Sequence, residues 1–570
     1  MTKTSLRLYY HYIKGGSDMA ENTAYMEFAA HADRFVRRMM QGYKPAGYRE
    51  IKVIHDPVWG TMKFYPWELT VLDSPLLQRL RNINQLGLAV YTYPSAHHSR
   101  FEHTLGVTSL VTRMVDSVND AAPHDGNGDC VISRDDLYKL RMAAILHDVG
   151  HCFFSHLSER MYGNTAEFEA LKSSSPVFGS AQPHEILGYV IINTHAFKEF
   201  FRTNVEFPSG DIDDAFFEDM GRMIVGAPIE TVYERNGKSI RKYYLTEMIN
   251  GQFDADSLDY LRRDSYITGL SLTYHIDRFL YKIKIVDHDE PCGGTAVTGR
   301  HLTVSMSGVS TVEEMIFGKQ MLTRYIYQHQ KVLAADALVY DIVNGLRANG
   351  KLQHPCDFLY LCDDDIYKIY NESGDGDFEV PAAKFPIHSD SKKTIADVVK
   401  QIKTRELPKK ALVINMANIA SVEGHEPTLD SAYKFLCDVA AGGGFRSEIR
   451  DKAREICESI GLCKDDIDLF DIFYSFPKPT TAKNYTDVFV ATPDGKFVEL
   501  SRVADLNDWA NEFSGRAWNA YVFSAGHMLP VVSLAAKQVL ESRGIKFYDD
   551  RVFSGLKHYK EIEKLQKGTV

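Results

Sequence analysis

The residues best suited to chemistry lie close together in the segment HDVGHCFFSH, residues 147–156. It contains His147, His151 and His156, and Asp148 directly follows the first histidine. Burying this much polarity without partners would cost roughly 1–3 kcal/mol for each unsatisfied group. A metal ion satisfies imidazole nitrogen and carboxylate oxygen together. The pattern therefore predicts a metal site, although a buried histidine paired with its neighbouring aspartate would also explain the dyad alone.

Two further segments contain residues that would complete such a site. RFEH, residues 100–103, precedes a helix-like stretch, and DADSLDYLRRD, residues 254–264, spaces its polar residues like one face of a helix. Together the segments offer two nitrogen and two oxygen ligands: His103, His147, Asp148 and Asp256. This set leaves room for water and substrate oxygens, whereas a structural zinc site is closed and usually richer in cysteine.

Helices are predicted to carry these residues. Leu137, Leu140, Ala144 and His147 recur at helical spacing, so we expect His147 on a buried helix face and His151 one turn further along it. Capping residues open three helices: Ser74, which is followed by a proline, Ser133 and Asp254. The predicted fold class is mainly α.

Three regions are predicted along the chain. Residues 1–48 are an N-terminal extension with one amphipathic helix, and residues 49–349 form a large helical domain that holds the metal site. Residues 350–570 form a smaller C-terminal α+β lobe, in which the turn Thr492-Pro493-Asp494-Gly495 predicts a hairpin over 486–501.

Composition limits the function classes. The chain has 570 residues and a net charge of −11, which argues against a general nucleic-acid coat protein but not against a local phosphate pocket. Eight cysteines without a Cys-x-x-Cys pair are too few for a disulfide scaffold or zinc ribbon. Neither a secretory signal nor a membrane-spanning run is evident, so we expect a cytoplasmic protein that is not bound to membranes.

At this point the sequence resembles the HD-domain deoxynucleoside triphosphate (dNTP) triphosphohydrolases. The order of His103, His147-Asp148 and Asp256 matches the ligand motif of that family. Further matching segments are IHDPVWG (54–60), LDSPLLQRLRNINQLG (72–87), SRFEHTLGV (99–107), PHE (183–185) and YQH (327–329). The resemblance covers about 50–345 and, more faintly, 484–525. It is closest to mammalian members that also carry a SAM domain, which we do not expect here.

The resemblance implies a role for each matching residue. The four ligands would hold one transition-metal ion. Their mixed nitrogen and oxygen donors are compatible with Mn, Fe, Co, Ni or Zn. Mg²⁺ would accompany the nucleotide phosphates. The implied catalytic residues are His151, His156 and His184. The implied substrate-binding residues are Arg100 at the triphosphate, Lys319 at a phosphate, and Gln85, Leu86, Tyr260, Asp264 and Tyr327 around the nucleoside, with Tyr327 against the sugar 2′ position.

The resemblance also implies regulation. An activator-nucleotide site would include Lys52, His55, Asp73, Gln78, Arg81 and Arg278, and the protein would form a homotetramer or larger assembly. Three departures bear on phosphate binding: Ser257 replaces a phosphate-binding lysine, His55 replaces an asparagine, and SMSGVS at 305–310 lacks the basic residues expected near activator phosphates.

The expected reaction is metal-dependent hydrolysis of a dNTP to deoxynucleoside and triphosphate, and two alternatives stay open. An HD-type nuclease or phosphodiesterase would keep the metal site and act on nucleic acid or another nucleotide. A nucleotide-sensing module would have the fold without catalysis. The presence of all four ligands favours an enzyme, and Tyr260, Asp264 and Tyr327 favour a mononucleotide over nucleic acid.

Overall fold

The computed structural model is mainly helical, as predicted. It describes residues 22–121, 131–209, 212–235, 238–272, 274–292, 295–369, 386–387, 391, 393–462, 467–479, 489–492, 497–504, 513, 515 and 517–548. The α-helices up to residue 348 are Thr23–Met40, Pro66–Leu72, Pro75–Gln78, Arg100–Ala121, Arg134–Leu146, His156–Tyr162, Ala166–Ser173, Pro183–Asn193, His195–Asn204, Asp214–Ile224, Tyr243–Ile249, Ala255–Thr268, Ile276–Leu280, Val309–Leu322 and Gln330–Ala348. No helix in these described ranges is long and apolar enough to cross a membrane.

The helices that carry the site begin where local capping chemistry places them. Ser133 accepts a hydrogen bond from the backbone N–H of Asp136, and Asp254 accepts one from that of Ser257. Both caps satisfy amide groups that the first helical turn leaves without partners. The Arg100–Ala121 helix packs between the Arg134–Leu146 and Ala255–Thr268 helices, which brings the predicted ligands toward one point.

The N-terminal helix Thr23–Met40 is part of the main hydrophobic core. Asn22 caps it, and Phe28, Ala32, Phe35 and Val36 are fully or almost fully buried. These positions repeat at intervals of three and four residues, which is the spacing of one helix face. The predicted helix is thus confirmed, and its apolar face joins the same core as the helices around the site. The predicted domain division itself stays a prediction.

The sheets lie beside and beyond the helical core. Strands Lys52–Asp56 and Gly60–Phe64 form a hairpin. A mixed sheet has the order Phe497–Glu499, Phe489–Ala491, Thr295–Ser305, Lys238–Lys242 and Val232–Arg235, and Ile283–Cys292 pairs along Thr295–Ser305. The antiparallel pairing of Phe489 with Glu499 confirms the predicted hairpin, although residues 493–496 of its turn lie outside the described residues.

A second core forms in the C-terminal part. Its helices are Leu429–Ala441, Phe445–Ser459 and Leu529–Arg543, and its strands are Lys409–Ile414, Ile419–Val422, Ile472–Ser475, Ala520–Ser524 and Ile545–Phe547. Most of their buried side chains form a second cluster, while Val413, Phe473, Tyr521 and Phe523 on three of the strands pack into the main core. The preceding helices Asp363–Lys368 and Ile395–Lys403 instead bury Ile366, Val398 and Ile402 in the main core.

Candidate active site

The four predicted metal ligands meet in one cluster. His103 and Asp256 come from two helices, and His147 and Asp148 come from the turn that follows a third. The Nε2 atoms of His103 and His147 lie 3.4 Å apart. Asp256 Oδ1 lies 2.8 Å from His103 Nε2, and Asp148 Oδ1 lies 3.4 Å from His147 Nε2. Ligand atoms of His103, His147 and Asp256 therefore converge within 4.8 Å of one another, and Asp148 lies beside His147.

The donor set fits a metal ion. His147 donates from Nδ1 to the carbonyl oxygen of Ala144 at 2.7 Å, and His103 Nδ1 lies 2.7 Å from Asp259 Oδ2. These bonds leave the two Nε2 atoms facing each other, with Asp256 Oδ1 beside that of His103. A metal–imidazole bond is about 2.0–2.1 Å long, so two nitrogens on one tetrahedral ion are separated by about the observed distance.

A carboxylate that the sequence reasoning missed supports His103. Asp259 is fully buried and accepts bonds from Arg263 Nε at 2.7 Å and Nη2 at 3.0 Å, and from the indole N–H of Trp59. Arg263 also binds Asp56 at 2.8 Å. A carboxylate behind a ligating histidine fixes its tautomer and raises its basicity. The sequence signal was the three-residue spacing from Asp256, which puts Asp259 on nearly the same helix face.

The charges in the cluster are strongly coupled. Burial lowers the pKa of His103, but hydrogen bonds to Asp256 and Asp259 outweigh it and raise that pKa to about 10. Burial raises the pKa of Asp148, but Arg100, His147 and His151 hold it well below its usual range. The site therefore keeps its carboxylates ionised at neutral pH, which is the form that binds a cation.

The segment between His147 and His156 differs from the predicted further helical turn after His147. The helix ends at Leu146, and turns carry the chain through residues 147–155. Gly150 explains part of this path, because a Cβ there would lie 2.0 Å from the carbonyl oxygen of His184. Buried Arg79 donates to the carbonyl oxygens of Val149 and His151. The prediction that His151 lies one helical turn after His147 is therefore wrong, although the turns bring both histidines to the site.

The three candidate catalytic histidines surround one buried carboxylate, Glu159. Its Oε1 lies 2.8 Å from His184 Nδ1, 3.0 Å from His151 Nδ1 and 3.2 Å from His156 Nδ1. The rings of His151 and His184 stack with centroids 3.8 Å apart. His151 Nε2 lies 3.3 Å from Asp148 Oδ1, which joins this group to the metal ligands. Sequence reasoning missed Glu159, although it lies one helical turn after His156.

The protonation states of these histidines differ. Burial, with Arg100 and His184 nearby, lowers the pKa of His151 to about 3. Burial also lowers the pKa of His184, but the Glu159 carboxylate outweighs it and raises that pKa to about 9. The side chain of His156 is 64% exposed, unlike the other two. The two shifts have opposite directions, so the surroundings favour the neutral form of His151 and the charged form of His184.

Arg100 lies against the metal ligands. It is 3% exposed, and its Nη1 donates to Asp148 Oδ2 at 3.0 Å. Its Nε donates to Ser155 Oγ at 2.9 Å, while its buried Nη2 has no hydrogen-bond partner within the described ranges. A buried guanidinium with a spare donor beside a cation site is well suited to a phosphate oxygen.

The predicted nucleoside residues form a neighbouring polar group. Tyr327 donates to Asp264 Oδ2 at 2.7 Å, and His98 Nε2 lies 2.9 Å from Asp264 Oδ1. The backbone N–H of Gln85 donates to the carbonyl oxygen of His98 at 2.9 Å, which attaches Gln85 and Leu86 to the same group. Burial, followed by the Asp264 charge, raises the pKa of Tyr327 well above its usual range, so it stays a hydrogen-bond donor.

Tyr260 and Lys319 contact each other at the side of this group. The Lys319 ammonium lies 5.8 Å from the Tyr260 ring centroid. Tyr260 is one helical turn after Asp256, and Lys319 comes from the Val309–Leu322 helix. The five-residue π-helix Thr323–Tyr327 then bends the chain and carries Tyr327 to Asp264. A π-helical turn of this kind often occurs at functional sites.

Four of the six predicted activator residues lie together. Lys52 Nζ is 4.0 Å from Asp73 Oδ2, Gln78 donates to Asp73 Oδ1 at 3.5 Å, and Arg81 donates to Gln78 at 2.7 Å. The other two, His55 and Arg278, are exposed on the Lys52–Asp56 strand and the Ile276–Leu280 helix, and within the described part of the chain neither makes a hydrogen bond or ion pair to this group.

Comparison with known proteins agrees with this geometry. Residues 100–260, from the Arg100 helix through Tyr260, match the model of the HD domain. This stretch of the chain is similar to an HD domain. All four candidate metal ligands lie within the matched residues, whereas Tyr327, Lys319 and the helix Asp363–Lys368 lie beyond them.

Several relatives are similar to about half of this chain. Deoxynucleoside triphosphate triphosphohydrolase SAMHD1 of Bos taurus is 29% identical over 300 residues, which cover 51% of this chain and 47% of the relative. A SAMHD1 homolog of Dictyostelium discoideum is 24% identical over 322 residues, 56% of this chain and 54% of the relative. An uncharacterized protein, MJ1154, of Methanocaldococcus jannaschii is 26% identical over 290 residues, 51% and 48%. The chain thus spans about half the length of these relatives, and the resemblance to HD-domain dNTP triphosphohydrolases is confirmed.

Proposed function

We propose that this protein hydrolyses dNTPs to deoxynucleoside and intact triphosphate with a transition-metal ion bound at the HD site. The observation that carries the proposal is Arg100, buried beside Asp148 with Nη2 unpartnered among the described residues. Arg100 places a hydrogen-bond donor suited to phosphate oxygens beside a cation site, as the binding of a phosphate ester there would require. The similarity to deoxynucleoside triphosphate triphosphohydrolases supports the choice of substrate.

In this proposal His103, His147, Asp148 and Asp256 hold the ion, which is Mn, Fe, Co, Ni or Zn, and Mg²⁺ accompanies the β- and γ-phosphates. When bound, the ion supplies Lewis acidity that polarises a phosphoryl oxygen and acidifies water. Asp259 keeps His103 in the ligating tautomer. Arg100 orients the α-phosphate, and Lys319 contributes positive charge further along the triphosphate.

The nucleoside end of the substrate would lie against Tyr327, Asp264 and His98. The bond between Tyr327 and Asp264 holds the phenol ring at the position assigned to the sugar, where it leaves little room for a 2′ hydroxyl. Gln85, Leu86 and Tyr260 line the remaining sides. Rejection of the ribonucleotide is therefore steric in this proposal.

Attack of water at the α-phosphorus breaks the bond to the 5′ oxygen, and that oxygen takes up a proton. Of the two histidines that would supply it, His151 is fully buried with its Nε2 3.3 Å from Asp148, whereas the side chain of His156 is 64% exposed. We therefore assign the proton to His156, whose Nδ1 lies 3.2 Å from Glu159. Glu159 stabilises the imidazolium, and His184 holds Glu159 in position from the other side.

Regulation is part of the same proposal. The cluster of Lys52, Asp73, Gln78 and Arg81 supports an activator-nucleotide site that lies outside the catalytic group. The resemblance also implies that copies of the chain associate into a homotetramer or larger assembly. A cytoplasmic location stays the prediction from cysteine usage.

Product identity tests the proposal. The protein is incubated with each dNTP singly and with all four mixed, with Mg²⁺ and Mn²⁺, and the products are resolved by ion-exchange chromatography and phosphorus NMR. Deoxynucleoside with intact triphosphate is the expected result, and Asp148→Ala, which should lose the ion, is the control. Activity only in the mixture would support nucleotide activation.

Three outcomes would contradict parts of this proposal. Monophosphate with pyrophosphate would keep the metal site and overturn the point of attack. Cleavage of oligonucleotides but not of dNTPs would favour a nuclease or phosphodiesterase. Stoichiometric metal without turnover on any of these substrates would favour a nucleotide-sensing role.

A further inference from the structure

We propose that Asp363 is a positioning residue of the candidate active site, an inference that rests on the proposed function. Asp363 begins the Asp363–Lys368 helix, more than 200 positions after the HD loop in sequence and outside the HD match. Its carboxylate is 3% exposed and accepts two backbone bonds. Oδ1 accepts from the N–H of Phe154 at 2.6 Å, and Oδ2 accepts from the N–H of Asn84 at 2.9 Å.

The two backbone groups lie directly before residues of the proposed mechanism. Phe154 is two positions before His156, and Asn84 immediately precedes Gln85. One carboxylate therefore holds the turn that leads to the proton donor and the turn that leads to the nucleoside pocket. Neither turn contributes a basic side chain to this contact, which consists of the two backbone N–H groups and a further hydrogen bond from the Asn84 side chain.

Ser155 closes the same network from the opposite side. Its Oγ donates to the carbonyl oxygen of Asn84 at 2.6 Å and accepts from Arg100 Nε at 2.9 Å. Asn84 is thus held at its N–H by Asp363 and at its carbonyl by Ser155. A shift of the Phe154–Ser155 turn would move the phosphate-binding guanidinium as well as His156.

The turn that Asp363 holds has an unfavourable backbone conformation. Phe154 and Ser155 have φ angles of 52° and 54°. Side chains with a Cβ rarely adopt this left-handed region, and such residues persist only where their surroundings dictate it. The two turns also pack closely, because a Cβ on Gly87 would lie 3.0 Å from the carbonyl oxygen of Phe154.

Burial of Asp363 is unfavourable for its charge. Burial raises the pKa of this carboxyl to about 7, although the N–H groups of Phe154 and Asn84 lower it. An acid whose pKa is raised in the folded state does not stabilise the fold through its charge at neutral pH. The stabilising contribution of the Asp363 carboxyl therefore comes from the two hydrogen bonds that it accepts from backbone N–H groups.

Three variants test the inference. Asp363→Asn keeps one carbonyl oxygen and hence one of the two bonds, Asp363→Ala keeps neither, and Asp364→Asn changes the exposed neighbour as a matched control. Misplacement by about 1 Å costs up to roughly 100-fold in rate. We expect kcat for dNTP hydrolysis to fall roughly tenfold in Asp363→Asn and roughly 100-fold in Asp363→Ala, with KM and metal content close to wild type. Asp364→Asn should match wild type.

Hydrogen exchange measured by mass spectrometry supplies a readout independent of turnover. Peptides containing Asn84 and Phe154 should exchange faster in Asp363→Asn, while those of the Arg134–Leu146 helix should not. Faster exchange with unchanged kcat in Asp363→Asn would overturn the positioning role. Equal loss of metal, thermal stability and kcat would also overturn it, because that pattern is general unfolding. If Asp363→Ala does not fold, Asp363→Asn decides the question.

Failure of the proposed function gives a different pattern. If wild type hydrolyses bis(4-nitrophenyl) phosphate but no dNTP, the substrate assignment is wrong. A tenfold loss in Asp363→Asn on that diester would still support the positioning role, and an unchanged rate would contradict it. A wild type that hydrolyses neither substrate overturns both proposals.

Discussion

Replacing Asp259 by asparagine should weaken metal binding without removing a ligand. In wild type, Asp259 Oδ2 lies 2.7 Å from His103 Nδ1 and makes that histidine a stronger base. An amide has no charge and can present its NH₂ group instead, which would disfavour the tautomer whose Nε2 binds the ion. The substitution changes no volume, so the packing around Trp59 and Arg263 should persist.

The expected magnitude follows from the buried position of this pair. Loss of the residue that orients a metal-ligating histidine typically costs 10- to 100-fold in metal affinity, or about 1.4–2.7 kcal/mol. At a fixed concentration of free metal, the stabilisation of the fold by bound metal should fall by the same free energy. Arg263 keeps its bond to Asp56 at 2.8 Å, so its charge is not left without a partner.

The assay measures metal content by mass spectrometry after dialysis against graded chelator, together with thermal unfolding with and without added Mn²⁺. Asp56→Asn is the matched control, because it removes the other carboxylate from Arg263 and does not contact His103. The control should lower thermal stability and retain metal. If Asp259→Asn holds metal as tightly as wild type and keeps the full stabilisation by Mn²⁺, the reasoning about His103 is wrong.

Three further predictions concern the catalytic and nucleoside groups. His156→Ala should lower kcat by roughly 10²–10⁴-fold with metal content unchanged, and retained turnover would assign the proton elsewhere. Glu159→Gln should remove the ion pair that raises the pKa of His184 to about 9. A histidine pKa that is raised in the folded state stabilises the fold fully below about pH 6.5, and this stabilisation is lost as the pH rises through the pKa of the folded state. The difference in thermal stability between wild type and variant should therefore narrow from pH 6.5 to 9. A constant difference would contradict the pairing of Glu159 with His184. Tyr327→Ala should lower the ratio of kcat/KM for a dNTP to that for its ribonucleotide roughly tenfold or more, and an unchanged ratio would remove Tyr327 from sugar selection.

What the sequence determined by itself is local. Three features depend on neighbours a few residues apart and can therefore be predicted from the sequence. They are the caps at Ser133 and Asp254, the apolar face of Thr23–Met40 and the predicted hairpin around Asp494. The types of the candidate metal ligands can be predicted from the sequence too, because an ordered set of histidine and aspartate residues has few other uses. The position of His151 was predicted less well: helical spacing put it one turn after His147, but the helix ends at Leu146 and Gly150 packs closely on the backbone of His184.

The tertiary structure alone decided which groups support the ligands and how their protons are distributed. Asp259 and Glu159 lie in motifs that were read for other residues, and only packing shows that they face His103 and the three catalytic histidines. Asp363 has no motif of its own, because what it binds is backbone N–H from two distant segments. The opposite directions of the pKa shifts of His151 and His184 also come from burial and from charges that converge through space. These effects depend on distances between residues far apart in the chain, which spacing along the sequence does not encode.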